Sequence, residues 1–309
     1  MASILFFKAA VQAGAPLLFA TIGEILTEKS GNLNLGVEGL MLIGAVFGFM
    51  AGMATNNPAV AMFAAFLAGM AGGGVFAFLT VTLRTNQVVT GLAITILGTG
   101  ISGFYGQSLM GKVLSESFRN TFAVLEVPLL SKIPVLGEVF FKQNIFIYMG
   151  YLMVVLMGVY LYKTRAGLNL RTVGESPATA DANGISINKY KYIHILVGSG
   201  ISALGGAYLS LVYVPAWQEN VTAGRGWIAV ALVIFSLWNP YRALIGAFVF
   251  GGLDIIGFRL QEFDINISQY ILGMLPYVVT IAVLIFNSVR KKGDNGPSGL
   301  SVSYFREER

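Results

Sequence analysis

The sequence predicts an all-α protein, a polytopic bundle of about eight to ten membrane-crossing helices, and three observations carry that expectation. Of its 309 residues, 55% are hydrophobic and only 11% are charged, whereas soluble domains carry roughly 25% charged residues. Apolar stretches close to the roughly 20 residues that cross a hydrocarbon core recur along most of the chain. Glycine is abundant, at 38 residues, which weakens a helix in water but suits membrane helices packed backbone to backbone.

The N-terminal sequence MASILFFKAAVQAGAPLLFATIG enters apolar residues without a basic leader or a small-residue cleavage signal, so 4–23 reads as a retained crossing. Further crossings fall at about 39–54, 57–80 and 86–109. Between the first two, GEILTEKSGNLNLGVEG (23–39) sets Glu24, Glu28, Lys29, Asn32, Asn34 and Glu38 among glycines. It is a connecting loop or a broken helix entering the membrane, and broken backbone survives there only where protein buries it or a wet cavity solvates it. Gly44, Gly48 and Gly52 recur every four residues, as do Gly69 and Gly73, the pattern of closely packed membrane helices.

The connection 110–143 contains PLLSKIPVLGEVFF, Pro-punctuated and half apolar, and reads as an ordered surface cap with no crossing of its own. Crossings follow at 144–162, 190–212 and 268–289, with 226–257 between the last two. Asn239-Pro240 divides 226–257, because Pro removes a backbone donor and disfavours helix at the residue before it. Charge supports the division. Lys163, Arg165, Arg171, Lys189 and Lys191 lie in loop 163–191, and Arg290, Lys291, Lys292, Arg306 and Arg309 in the tail, together half of the 20 basic residues. The positive-inside rule puts both on the cytoplasmic side, which requires an even number of crossings between them. Two halves around Asn239-Pro240 make that number four. The connection 110–143 is then extracytoplasmic and the Arg84 turn cytoplasmic. One membrane domain, 1–289, precedes a basic cytoplasmic tail, 290–309.

Most catalytic chemistry is excluded. The chain has no cysteine and one histidine, so disulfides, thiolate chemistry and His or Cys metal sites fall away. It has no GxxxxGK[ST] stretch and so no phosphate loop of that kind. His194, on an apolar segment, reads as packed or interfacial, and no nucleophile with its base is suggested. The expectation is no catalytic residue, no metal and no bound cofactor. Glu24, Glu38 and Asp254 lie at or inside segment ends, where charge is expensive and often marks a pathway or a partner. The alternative is an interfacial role, or pairing with Lys29 or Arg259.

One polar stretch stands apart. In GESPATADANGISINKYKYI (174–193), Ser176 is a helix cap and Pro177 fits the first turn, where no donor is needed. Ala178, Thr179, Ala180 and Ala182 give about two turns, and Asn183-Gly184 stops them. So short a helix must be held by contacts. Its small side chains suit insertion into a groove on another protein; an ordinary surface turn is the plainer alternative.

These residues resemble the cytoplasmic coupling segment of bacterial ABC importer permeases, whose pattern is EAA, three residues, then Gly. Here Ala178-Thr179-Ala180 and Gly184 stand in that pattern without the acidic first residue. The stretches GAPLLFATIGEILTEKSGNLNLGVEGLMLIGA (14–45), YKTRAGLNLRTVGESPATADANGI (162–185), TAGRGWIAVALVIFSLWNP (222–240) and MLPYVVTIAVL (274–284) are similar to the branch of that family carrying simple sugars, nucleosides and branched-chain amino acids. The form of GNLNLGVEG favours nucleosides. The resemblance implies an ABC importer permease fold, multi-pass in the bacterial cytoplasmic (inner) membrane, with a coupling helix formed by Ser176, Pro177, Ala178, Thr179, Ala180, Asn183 and Gly184. It implies an ABC ATPase binding ATP and Mg, a second homologous permease in a heterodimer, and an extracytoplasmic substrate-binding lipoprotein. The lipid bilayer is a further partner, and nucleic acid is not. Asn32, Asn34 and Glu38, with Gln87, Thr90 and Thr95 near one face of the next polar-bearing helix, are the expected pathway residues, with Phe104 and Tyr105 packed beside them. A permease for ribose, galactose or another simple sugar is the nearest rival. A secondary transporter working without ATP is a more distant one.

Overall fold

The structure, a computed structural model, describes residues 2–262, 274–275, 277–282, 285 and 296–305. The expected crossing at 268–289 lies largely outside the described residues. The long helices are α1 (Ala2–Glu28), α2 (Val37–Thr55), α3 (Pro58–Ala77) and α4 (Gln87–Gly106). The cap contains α5 (Glu116–Thr121), α6 (Leu136–Phe140) and a two-stranded antiparallel ribbon, β1 (Leu125–Glu126) with β2 (Lys142–Gln143). Then come α7 (Ile145–Lys163), α8 (Arg165–Glu175), α9 (Pro177–Ala182), α10 (Ile187–Tyr208), α11 (Arg225–Phe235) and α12 (Pro240–Glu262). Among the described residues six helices are long and apolar enough to cross a membrane: α1, α2, α3, α4, α7 and α10, with α3, α4 and α10 prolonged by a further turn. The protein is a multi-pass membrane protein.

Helix α10 lies at the centre, packed on α1, α2 and α3. Lipid tails are as apolar as side chains, so such helices associate through close van der Waals packing, which favours small residues. The stretch GSGISALGGA (198–207) supplies them. A Cβ on Gly44 would lie 2.1 Å from the Ala203 carbonyl oxygen, and one on Gly69 2.3 Å from the Ala203 side chain. The glycine ladders are therefore packing surfaces, as their spacing predicts. Toward the cap, Phe146 meets Phe19 and Tyr208 edge-on at centroid distances of 5.2 and 5.3 Å.

Two ends can be told apart. At one, the α2–α3 turn meets α5 through Asn56 and Ser117, Gln143 reaches the Lys8 carbonyl in α1, and Val113 bridges Ala216. At the other, the 29–31 turn, α8, α9, the 237–239 turn and tail residues 296–305 converge. Loop 163–191 and tail residues 296–305 therefore share one end.

Helix α11 is shorter than expected. Its 11 residues rise about 16 Å, half of a core about 30 Å thick, so it is a half-crossing entered by the non-helical segment 214–224. The break before Pro240 falls where expected. Leu237 and Trp238 both take left-handed backbone there, with φ of 54° and 53°, a conformation costing roughly 1–2 kcal/mol per residue. The Trp238 indole N–H donates to the buried Glu28 carboxylate, which anchors the turn.

Candidate functional site

Two helices begin inside the bundle, and their first turns meet. Helix α1 stops at Glu28, where Ser30 and Gly31 N–H close a tight turn on the Thr27 and Glu28 carbonyls at 3.0 and 2.8 Å. The chain then runs without helix to Gly36 before α2 starts. Side chains from elsewhere satisfy this bend. Leu33 N–H donates to Gln87 Oε1 at 2.8 Å, Asn34 N–H to Glu24 Oε1 at 2.9 Å, and Thr95 Oγ1 to the Leu35 carbonyl at 3.1 Å. Asn34 Oδ1 accepts from Gly36 N–H at 2.9 Å. The segment 23–39 is thus a broken helix buried by protein.

Glu38, in the first turn of α2, closes the second break. Its Oε1 accepts from Thr222 Oγ1 at 2.6 Å and Gly224 N–H at 2.8 Å, and its Oε2 from Gly226 N–H at 2.6 Å. One carboxylate therefore caps α11, where free N–H groups and the helix dipole favour negative charge. Gly226 is needed for the approach, since a Cβ there would sit 2.4 Å from the Glu38 Cα. Arg225 turns away to pair with Asp254 on α12, at 2.6 Å. Discontinuous helices whose ends lie inside the membrane are the recurrent setting for transported solutes.

The expected pathway residues separate into three groups. Asn32 and Asn34 are fully buried and Gln87 nearly so; both ends of the Asn32 amide, Asn34 Nδ2 and Gln87 Nε2 find no hydrogen-bond partner among the described residues. Such buried amides call for a polar companion. Glu38 and Thr90 already have protein partners, Thr90 donating to the Asn86 carbonyl at 2.8 Å and sharing 2.9 Å with Thr85. Phe104 and Tyr105 do not join the others: they lie about 25 Å along α4 from Gln87, exposed, with Tyr105 against Phe47 at 5.5 Å. The expectation that they pack beside Gln87 and Thr90 is corrected on that distance alone. Asp254 pairs with Arg225 on the preceding helix α11, and not with Lys29 or Arg259, the partners that the alternative reading offered. Arg225, Thr222 and Trp238 were not among the expected site residues; the glycines around Arg225 were the available signal. His194 is a packed residue, its Nε2 at 2.6 Å from Tyr160 Oη and its ring stacked on Tyr190.

The polar helix forms as its caps predict. Ser176 Oγ accepts from Thr179 N–H at 3.3 Å, Pro177 opens α9, and Gly184 leaves it with φ of +74°. Ala178, Thr179, Ala182, Asn183 and Gly184 are exposed, while Ser176 and Pro177 are half-buried. Ala180 points inward, packed with Val173 and Ile187. Behind α9, α8 is capped by Thr164 Oγ1 on Gly167 N–H at 3.0 Å and ends against the bend: a Cβ on Gly174 would lie 2.3 Å from the Lys29 carbonyl oxygen. The contact of α8 with the bend is thus three residues of backbone from Asn32. Lys29, at this contact, has its ammonium pKa lowered by burial.

Residues 6–284 match the family described as branched-chain amino acid transport system / permease component. The chain is 37% identical to TsgC13 of Haloferax volcanii, provisionally named a glucose ABC transporter permease protein, over 97% of each chain. It is 34% identical to the guanosine ABC transporter permease protein NupQ of Bacillus subtilis, over 87% of this chain and 88% of NupQ. It is 33% identical to the nucleoside ABC transporter permease protein NupC of Lactococcus lactis, over 87% of each. No solved structure matches it. A helical, multi-pass chain with two broken helices meeting inside its bundle, matched from residue 6 to 284, belongs to the branched-chain amino acid transport system / permease component family.

Proposed function

We propose that this chain is the permease subunit of an ABC importer carrying nucleosides across the cytoplasmic membrane, with ATP and Mg bound by a partner ATPase that docks on α9. The observation that carries the reading is the short path from α9 through Gly174 to the 29–36 bend and its unpartnered amides. Asn32, Asn34 and Gln87 are uncharged and offer both donors and an acceptor, which suits a neutral solute rich in hydroxyls. The names of NupQ and NupC support a nucleoside. The basic loop 163–191 lies at the α9 end, which by the positive-inside rule supports a cytoplasmic position for that end.

A second permease completes the pathway, and a substrate-binding lipoprotein on the opposite face delivers the solute. Bacillus subtilis has two guanosine permeases similar to this chain, at 34% and 22% identity, which supports a heterodimer. Co-purification from the native membrane tests the assembly, with an ATPase, a sister permease and a binding lipoprotein as the expected companions. Reconstitution in proteoliposomes then tests the solute: nucleosides with the binding protein should stimulate ATP hydrolysis and enter the vesicles. The match to TsgC13 favours a second reading, import of glucose or another simple sugar. Stimulation by glucose and not by nucleosides would decide for it.

A further inference from the structure

The tail was expected to be a basic appendage, yet residues 296–305 lie along the knob and the bend. Gly299 N–H donates to the Gly174 carbonyl at 2.9 Å, and Ser301 N–H to the Gly31 carbonyl at 3.2 Å, so two adjacent tail bonds hold the two backbones whose contact joins α8 to the bend. Ser298 Oγ donates to Glu175 Oε1 at 2.5 Å, and Tyr304 Oη to Asp181 Oδ2 in α9 at 2.9 Å. The Tyr304 ring packs on the Val173, Ala180 and Ile187 cluster that seats α9. Beyond it, the Arg84 guanidinium stands 4.5 Å from the Phe305 ring, so the tail also reaches the turn before α4. Between α9 and the tail lies a cleft of about 340 Å³ lined in part by Glu175, Pro177, Ala178, Tyr304 and Phe305.

We propose that residues 296–305 are a positioning strap for coupling: they bind α9 to the 29–31 turn, so that the knob and the bend move as one body. This rests on the permease reading. A helix of six residues has little rigidity of its own, and a knob free to pivot on Ser176 would absorb the displacement delivered to it. The strap prevents that pivot by holding both Asp181, within α9, and Gly174, behind it.

The test uses the complete reconstituted complex with its ATPase and binding protein. A chain ending at Asn295, and separately the double variant Ser298→Ala with Tyr304→Phe, should retain the ATPase on purification and retain basal hydrolysis. Solute-stimulated hydrolysis and uptake should be lost in the first and fall about fivefold or more in the second, the scale of a typical coupling energy. Because the chain has no native cysteine, Glu175→Cys with Ser298→Cys allows the strap to be locked to α8; uptake should survive oxidation. Wild-type uptake by the shortened chain overturns the proposal, as does a block of uptake by the cross-link. Should the shortened chain fail to assemble, the double variant decides, and wild-type uptake from it overturns the proposal. If the wild-type chain carried no ATPase, the permease reading itself would fall, a result distinct from all of these.

Discussion

Glu38 and Asn32 occupy the same buried region and call for opposite outcomes. The Glu38 carboxylate serves three donors from 222–226, so Glu38→Ala leaves buried N–H groups without an acceptor. A lost hydrogen bond to a charged group costs about 1.5–3 kcal/mol, and the variant should unfold at clearly lower temperature in detergent, with Glu38→Gln between it and the wild type. Among the described residues Asn32 finds no partner for its amide, so Asn32→Ala should leave the unfolding temperature unchanged or slightly higher while uptake falls about tenfold, the scale of one lost hydrogen bond to a solute. A matching loss of stability in Asn32→Ala would remove it from the pathway. The sequence made these residues conspicuous because amides and carboxylates are rare between apolar segments. It did not separate their roles, since the donors that engage Glu38 lie more than 180 residues away. The Arg225 and Asp254 pair, 29 residues apart, joins α11 to α12 across the turn that precedes Pro240, a fold-back whose register the sequence did not show.

Helix α8 joins the exposed knob, α9, to the bend. A side chain at Gly174 cannot fit without moving the Lys29 backbone, so Gly174→Val should separate α8 from the bend. ATPase co-purification should persist while uptake disappears; unchanged uptake would show that this contact carries no motion. Helix α9 was legible because its caps are local: Ser176-Pro177 at the start and Gly184 at the end. Helix α8 was treated as loop although its buried Gly167, Leu170, Val173 and Gly174 recur at helical spacing. Its polar composition hid the pattern. The Asn239-Pro240 break was equally readable, but the half-length of α11 was not, because an extended segment can cross half a membrane only where tertiary contacts satisfy its backbone.

For the whole molecule, the sequence conveyed the class and most helix limits, and tail residues 296–305 lie at the end of loop 163–191. It missed the strap, whose bonds to Gly31, Gly174 and Asp181 join segments far apart in sequence. It also brought Phe104 and Tyr105 too close to Gln87, since sharing a helix does not imply sharing a depth. The account as a whole describes a gate driven from outside itself through α9. The most direct test is ATP-dependent nucleoside uptake into proteoliposomes containing this chain, its sister permease, the ATPase and the binding protein, comparing wild type with Ala182→Trp, a change at an exposed position of α9. Uptake should require ATP, and the variant should lose uptake and ATPase binding with its unfolding temperature unaltered. Uptake driven by an ion gradient without the ATPase, or wild-type uptake by Ala182→Trp, would contradict it.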